Sequence, residues 1–257
     1  MYDAIILAGG ENSEHLNRYT SQPYEAMIDI AGKPMVELVA GALAASSQVS
    51  RIFIAGPVQE LAKCALPEKA VIVAGGQTII ETISLGMKAL GHENPTLVVT
   101  VDIPLITPAA VEDFLSQCAG VNAELYYPIV TRSDHERRFP GNKRTYVRLK
   151  EGTFTGGNIF LVNPKIVAQC MKVAERIIAN RKNPFKLCCL LGWTFVVQFI
   201  LGTLKLRQVE KRVSDILGIK GAVIQSQYAE LGIDVDKPSD LELVRRCLKQ
   251  KSLKERG

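Results

Sequence analysis

Ala4-Ile5-Ile6-Leu7-Ala8-Gly9-Gly10 is an apolar run that ends in two glycines, after which polar residues begin. Strands buried on both faces of a sheet read as continuous apolar runs of this kind. A glycine pair at the carboxyl end of such a strand has two readings. It is an ordinary tight turn, or it is a loop whose backbone N–H groups meet a ligand such as phosphate at close range, with no Cβ in the way. The stretch is neither G-x-G-x-x-G nor a P-loop, because no Gly-Lys-Ser/Thr follows.

Outward from this stretch, strands and helices alternate. After a polar loop (Glu11 to Tyr24), Ala26 to Ile30 reads as a short strand. Pro34 then opens a helix to about Ser46, with Met35, Leu38, Val39, Ala42 and Leu43 at helical spacing. Strands follow at Arg51 to Ala55, Ala70 to Val73 and Thr96 to Val101. Helices follow at about Thr78 to Leu90 and Pro108 to Cys118. This order predicts βαβ units and a mostly parallel sheet, with ligands at the carboxyl ends of its strands. Gly9-Gly10, Gly75-Gly76 and Asp102 all fall at such ends. Further strands are expected at Ala123 to Val130, Tyr146 to Leu149, Ile159 to Val162, Ala222 to Gln225 and Glu230 to Ile233. Amphipathic helices are expected at Lys165 to about Asn180 and Leu206 to Leu217. Asp236 reads as the N-cap of a last helix, with Pro238 in its first turn.

Composition narrows the functional classes. The chain has 257 residues, 47% hydrophobic and 22% charged, values normal for a globular protein. A net charge of +5, spread over short clusters, suits an anionic small molecule as well as a nucleic acid. Six cysteines form no C-x-x-C pair and only three histidines exist, which argues against a zinc centre. Asp3 and the Gly9-Gly10 break argue against a leader peptide, so a cytoplasmic setting is expected.

Two segments resist a simple reading. Thr131 to Arg144 is polar and basic; it is either a solvated loop or a cationic flap over an anionic acceptor. Leu187 to Leu204 is almost wholly apolar and flanked by Arg181, Lys182 and Lys186 on one side, Lys205 and Arg207 on the other. It is a buried helix, an interfacial helix making peripheral contact with anionic lipid, or a short membrane span.

Taken together, six motifs in order resemble the MobA-like NTP transferase family, nucleotidyltransferases with a GT-A-like fold. They are Leu7-Ala8-Gly9-Gly10; Ala31-Gly32-Lys33-Pro34-Met35-Val36-Glu37; Gly75-Gly76 with the helix through Thr82 and Gly86; Val101-Asp102-Ile103-Pro104-Leu105; Thr155-Gly156-Gly157-Asn158; and Gly232-Ile233-Asp234-Val235-Asp236. The resemblance implies an α/β fold: a three-layer Rossmann-like sheet, mostly parallel with a mixed C-terminal part. It implies one domain over 1–257, with a helical insertion near 164–217. By the same resemblance, Leu7, Ala8, Gly9, Gly10, Gly75, Gly76 and Thr82 would bind the nucleotide, and Gly156, Gly157 and Asn158 the acceptor. Asp102 and Asp234 would hold Mg2+, with Asp236 the alternative to Asp234 and a helix cap the alternative role for Asp102. The partners implied are an NTP and a small phosphorylated acceptor, with no nucleic acid.

The chain departs from the family in one place that bears on catalysis. The family carries Gly-x-Ser/Thr-x-Arg soon after the glycines and then a lysine before the Gly-Lys-Pro turn. Here the loop is longer, Arg18 is an approximate stand-in for the arginine, and Glu25 occupies the lysine position. Lys33 is the nearest cation by sequence. A carboxylate at position 25 repels triphosphate unless a cation intervenes. Three functions therefore follow: a Mg2+-dependent nucleotidyltransferase releasing pyrophosphate, a nucleotide-binding protein with impaired catalysis, or a GT-A glycosyltransferase acting at a membrane.

Overall fold

The computed structural model describes residues 1–91, 93–170, 173 and 192–255. The opening run forms β1 (Tyr2–Leu7), whose Ala4, Ile5 and Ile6 are fully buried. It pairs in parallel with β4 (Val49–Gly56) on one side and β6 (Thr96–Thr100) on the other. β5 (Ala70–Ala74) extends the parallel half beyond β4. Between β1 and β4 lie a two-residue hairpin of β2 (Asp29–Ile30) and β3 (Lys33–Pro34), then α1 (Met35–Ala45). A single helical turn, α2 (Val58–Leu61), and α3 (Ile79–Leu90) precede β6. Thr78 caps α3 and Thr107 caps α4 (Pro108–Ala119), each hydroxyl accepting from the backbone N–H three residues on.

The second half of the sheet is mixed. β7 (Leu125–Thr131) runs parallel to β11 (Gly221–Ser226) and antiparallel to β9 (Gly152–Gly156) and β10 (Ile159–Val162). β10 is antiparallel to β6 and joins the halves, and β8 (Val147–Leu149) pairs with β9. Among the described residues the sheet has nine strands; it is mostly parallel, as the βαβ pattern predicts, with the mixed C-terminal part that the resemblance implies.

Helices cover both faces. α1 and α4 bury Val36, Val39, Leu43, Val111 and Phe114 against one. α3, the start of the helix at 164–170 and α7 (Leu206–Leu217) cover the other. A separate cluster of Leu16, Ile28, Ile30, Met35, Val130, Phe139, Ile233, Val235, Leu241 and Val244 joins the long loop after β1 to α8 (Pro238–Glu255).

Four local expectations are corrected. Glu25–Met27 is a 3-10 turn, so the strand expected over Ala26 to Ile30 shrinks to its last two residues. Ala229–Gly232 is also a 3-10 turn, whose Asn158-paired backbone replaces the expected closing strand. The stretch expected to be a loop after Thr131 holds α5 (Arg132–Arg138). Thr131 caps it by accepting from Asp134 N–H at 3.0 Å, and His135 and Phe139 bury its inner side. Asp236 is not the cap of α8, since the first helical bonds return to the Lys237 carbonyl.

Of the apolar stretch 187–204, residues 187–191 lie outside those described. The described part forms α6 (Trp193–Ile200), which has no buried residue, so the buried-helix reading does not hold for it. Phe195 and Phe199 pack on the cluster around Ile129, Leu149, Phe154 and Leu204, while Trp193 and Ile200 face solvent. Among the described residues no helix is long and apolar enough to cross a membrane.

Candidate active site

The carboxyl ends of four neighbouring strands are stitched together by backbone bonds. Ala8 N–H donates to the Ala55 carbonyl at 2.8 Å, Val101 N–H to Leu7 at 3.3 Å, and Gly75 N–H to Gly56 at 3.3 Å. The chains approach so closely that side chains are excluded. A Cβ on Gly56 would lie 2.8 Å from both the carbonyl carbon and oxygen of Ala8, and one on Gly75 would lie 3.3 Å from Gly56 Cα. Gly56 was not singled out from the sequence; its only signal is the Ala55-Gly56-Pro57 break at the end of β4. Gly76 N–H donates to the buried Thr82 hydroxyl at 3.0 Å, and that hydroxyl donates to the Thr78 carbonyl at 2.9 Å. Thr82 thus anchors the Gly76 turn to the first turn of α3.

The loop after Gly10 folds back on itself. Glu25 N–H donates to the Gly10 carbonyl at 3.0 Å, and Asn12 N–H to Pro23 at 2.9 Å. A Cβ on Gly10 would lie 3.0 Å from Glu25 Oε2. The Glu25 carboxylate therefore stands directly over the second glycine of the pair. Arg18 is exposed on the loop, and Lys33 is exposed on the turn formed by Ala31 and Gly32, both with positive φ. Ser13 ties the same loop to the other part of the site, its hydroxyl donating to the Asp236 carbonyl at 3.3 Å.

That other part is acidic. Asp102, Asp234 and Asp236 each bring one carboxylate oxygen within 4.8 Å of the others. Asp102 comes from the segment after β6; Asp234 and Asp236 come from the segment before α8. Val235 N–H, donating to the Asp102 carbonyl at 2.9 Å, fixes the two segments side by side. Thr100 Oγ1 donates to Asp102 Oδ1 at 2.5 Å. Burial pushes the Asp102 carboxyl above the usual range despite that bond. Arg144 pairs with Asp234, and both side chains are mostly buried. Asn158 N–H donates to the Leu231 carbonyl at 2.8 Å, and its carbonyl accepts from Thr100 N–H at 3.1 Å, which sets the Gly156-Gly157-Asn158 segment beside Thr100. Gly156 and Gly157 sit close against their neighbours there. A Cβ on Gly156 would overlap the Tyr127 hydroxyl, and one on Gly157 would lie 2.8 Å from Pro128 Cγ. Two buried donors, Arg144 Nε and Asn158 Nδ2, have no hydrogen-bond partner among the described residues. Buried donors are ordinarily satisfied, so an acceptor-rich ligand fits here.

A model of the MobA-like NTP transferase domain matches residues 4–182. The chain belongs to the MobA-like NTP transferase domain family. Membership makes it a nucleotidyltransferase-family protein, and the strand-end glycines and Asp102 fall inside the matched region. A solved structure described as a hypothetical transferase from Thermus thermophilus is 36% identical, covers 93% of this chain and 99% of its own, and has a TM-score of 0.78. CMP:2-keto-3-deoxy-manno-octonic acid synthetase, solved with CTP, superposes with a TM-score of 0.59 over 98% of this chain and 100% of its own at 17% identity, which shows a shared fold. The bifunctional protein GlmU of Enterococcus faecalis is 29% identical over 126 residues, 47% of this chain and 26% of that protein. This MobA-like chain thus spans about a quarter of the length of that relative.

The structure brings together Asp102, Asp234 and the glycine segments that the sequence singled out, and adds Asp236 as a third member of the acid group. A divalent metal fits the donor set: hard cations take carboxylate oxygens, and three converge here.

Proposed function

We propose that this protein is a Mg2+-dependent nucleotidyltransferase. An oxygen of a phosphorylated small-molecule acceptor attacks the α-phosphorus of an NTP. A new P–O bond forms, the α–β bridging bond breaks, and its electron pair leaves with pyrophosphate. The observation that carries the reading is the acid trio at the same end of the sheet as the glycine loop. Asp102, with Asp234 and Asp236, would hold the metal, which when bound neutralises phosphate charge. The backbone of Leu7, Ala8, Gly9 and Gly10 fixes the phosphates, while Gly75, Gly76 and Thr82 border the base. Gly156, Gly157 and Asn158 orient the acceptor, and Arg18 and Lys33 supply cationic charge from the loop and turn. The chain's contribution is positioning and charge neutralisation within one domain of residues 1–257. No nucleic-acid partner is called for. Incubation with each of the four NTPs, Mg2+ and a panel of sugar and alditol phosphates should release pyrophosphate. A correctly folded protein that releases none across the panel refutes the reading.

A specific observation favours a second reading: the Glu25 carboxylate sits over Gly10, where phosphate is expected. On that reading the protein binds nucleotide without turnover, and NTP binding by calorimetry with no pyrophosphate, unrescued by Glu25→Lys, supports it. Another observation bears on location. Trp193, Ile200 and Leu201 are 79%, 75% and 68% exposed on one side of α6, with the exposed cations Lys205 and Arg207 following. Aromatic and aliphatic side chains beside cations suit peripheral contact with anionic lipid. Co-sedimentation with anionic vesicles, lost in Trp193→Gln/Ile200→Gln, tests that contact, and absence of sedimentation at low salt removes it.

A further inference from the structure

Arg144 lies against the acid group through Asp234. Its side chain is 13% exposed and pairs with Asp234, itself 16% exposed. Burial holds the Arg144 guanidinium below its ordinary pKa, and Asp240, Asp236 and Asp102 offset only part of that cost. The segment that delivers Arg144 is tied to the start of α8 at two points. Asn142 Nδ2 donates to Asp240 Oδ1 at 3.1 Å, and Lys237 Nζ donates to the Lys143 carbonyl at 3.4 Å. The cation is therefore carried on a strap anchored to the helix whose leading segment supplies two of the three acids. Three carboxylates converging without a cation would repel one another strongly in a partly buried site.

We infer that Arg144 is the resident counter-cation of the acid trio and competes with the divalent metal for Asp234. The inference rests on the metal reading above but concerns Arg144 alone. Without nucleotide, Arg144 holds the three carboxylates together. A divalent ion entering beside it meets a like charge, so the nucleotide-free protein binds metal weakly. The phosphates of a bound nucleotide add negative charge that offsets both cations, so metal and nucleotide enter together. With a metal held at Asp234, the guanidinium would be free to turn to another acceptor. Its Nε–H, buried and without a partner among the described residues, is then placed to donate to a phosphate oxygen. Arg144 is thus a competitor of the metal in the empty site and a phosphate ligand in the loaded state.

The test reads metal binding, not turnover. Free Mn2+ is measured by electron paramagnetic resonance as MnCl2 is titrated into the full chain without nucleotide, for wild type, Arg144→Gln, Arg144→Lys and Asp102→Asn. Arg144→Gln should bind Mn2+ at least ten-fold more tightly than wild type. Its melting temperature should fall in EDTA and recover in Mn2+, because the ion replaces the lost charge. Arg144→Lys keeps the charge on a stem without the planar fork and should bind with intermediate affinity; it preserves the test should Arg144→Gln fail to fold. Equal or weaker Mn2+ binding in both Arg144 variants, with binding lost in Asp102→Asn, overturns the inference and leaves the metal site standing. No Mn2+ binding by any of the four proteins overturns both.

Discussion

Reversing the charge at position 25 should tighten nucleotide binding. Glu25 Oε2 lies 3.0 Å from where a Gly10 Cβ would be. A phosphate oxygen accepting from the Gly10 N–H would lie about 3 Å from that nitrogen, and a separation of about 5 Å from the carboxylate is assumed. At that separation two unit charges repel by about 1 kcal/mol in a water-like dielectric and about 3 kcal/mol at an effective value near 20. Glu25 is half-buried, and the lower figure is the appropriate one for a loop open to solvent. Glu25→Gln removes one unit of repulsion and should lower the NTP dissociation constant about five-fold. Glu25→Lys changes the local charge by two units, which corresponds to about 2 kcal/mol, or roughly 30-fold. Pyrophosphate release should rise as well, because a cation there meets charge that develops in the transition state. Calorimetric titration with NTP at about 20 and about 300 mM KCl is the assay, since an electrostatic gain shrinks as salt shortens the screening length. If both variants bind NTP no tighter than wild type, Glu25 does not face the phosphates and the reasoning fails. A gain that ignores salt also refutes it.

Three further outcomes test other parts of the structure. His135 is fully buried, its Nδ1 bonded to the Tyr146 hydroxyl at 2.8 Å, and burial and then Arg144 hold its pKa below the ordinary value. The unfolded chain therefore takes up this proton as pH falls through about 6.5 while the native chain does not, so stability is lost on that side; the melting temperature should fall less between pH 7.5 and pH 5.5 in His135→Asn than in wild type. Gly56→Ala forces a Cβ against the Ala8 backbone and should cost about 1–3 kcal/mol in urea unfolding while weakening nucleotide binding; Gly41→Ala, where a Cβ would meet nothing within 4 Å inside α1, should not destabilise. Burial pushes the Cys118 thiol up to about 12, so this cysteine should resist alkylation at pH 8 in native protein and react on unfolding, with mass spectrometry locating the label.

Much of the fold was legible because apolar period and turn chemistry act locally. The run Ala4 to Leu7, the glycine pair after it and the Thr78 and Pro108 helix starts can each be read within a few residues, and each element lies within about two residues of its expected bounds. The 3-10 turns at Glu25–Met27 and Ala229–Gly232 were not legible. Their apolar residues look strand-like in sequence, and only tertiary packing, of the first turn against α1 and of the second against α5 and β7, made them turns. α5 carried a readable cap in Thr131 and Asp134, but the charges after it masked the burial of His135 and Phe139.

By itself the sequence determined the parallel sheet, the glycine-bearing strand ends and the acidic residues after β6 and before α8, because strand burial and backbone freedom are written in residue type and spacing. Only the tertiary structure decided that Asp236 joins Asp102 and Asp234, that Arg144 reaches into them across 90 residues of chain, and that Glu25 lies over Gly10. Those are meetings of distant segments whose distances follow from how the strand ends are stitched together, and no local pattern encodes them.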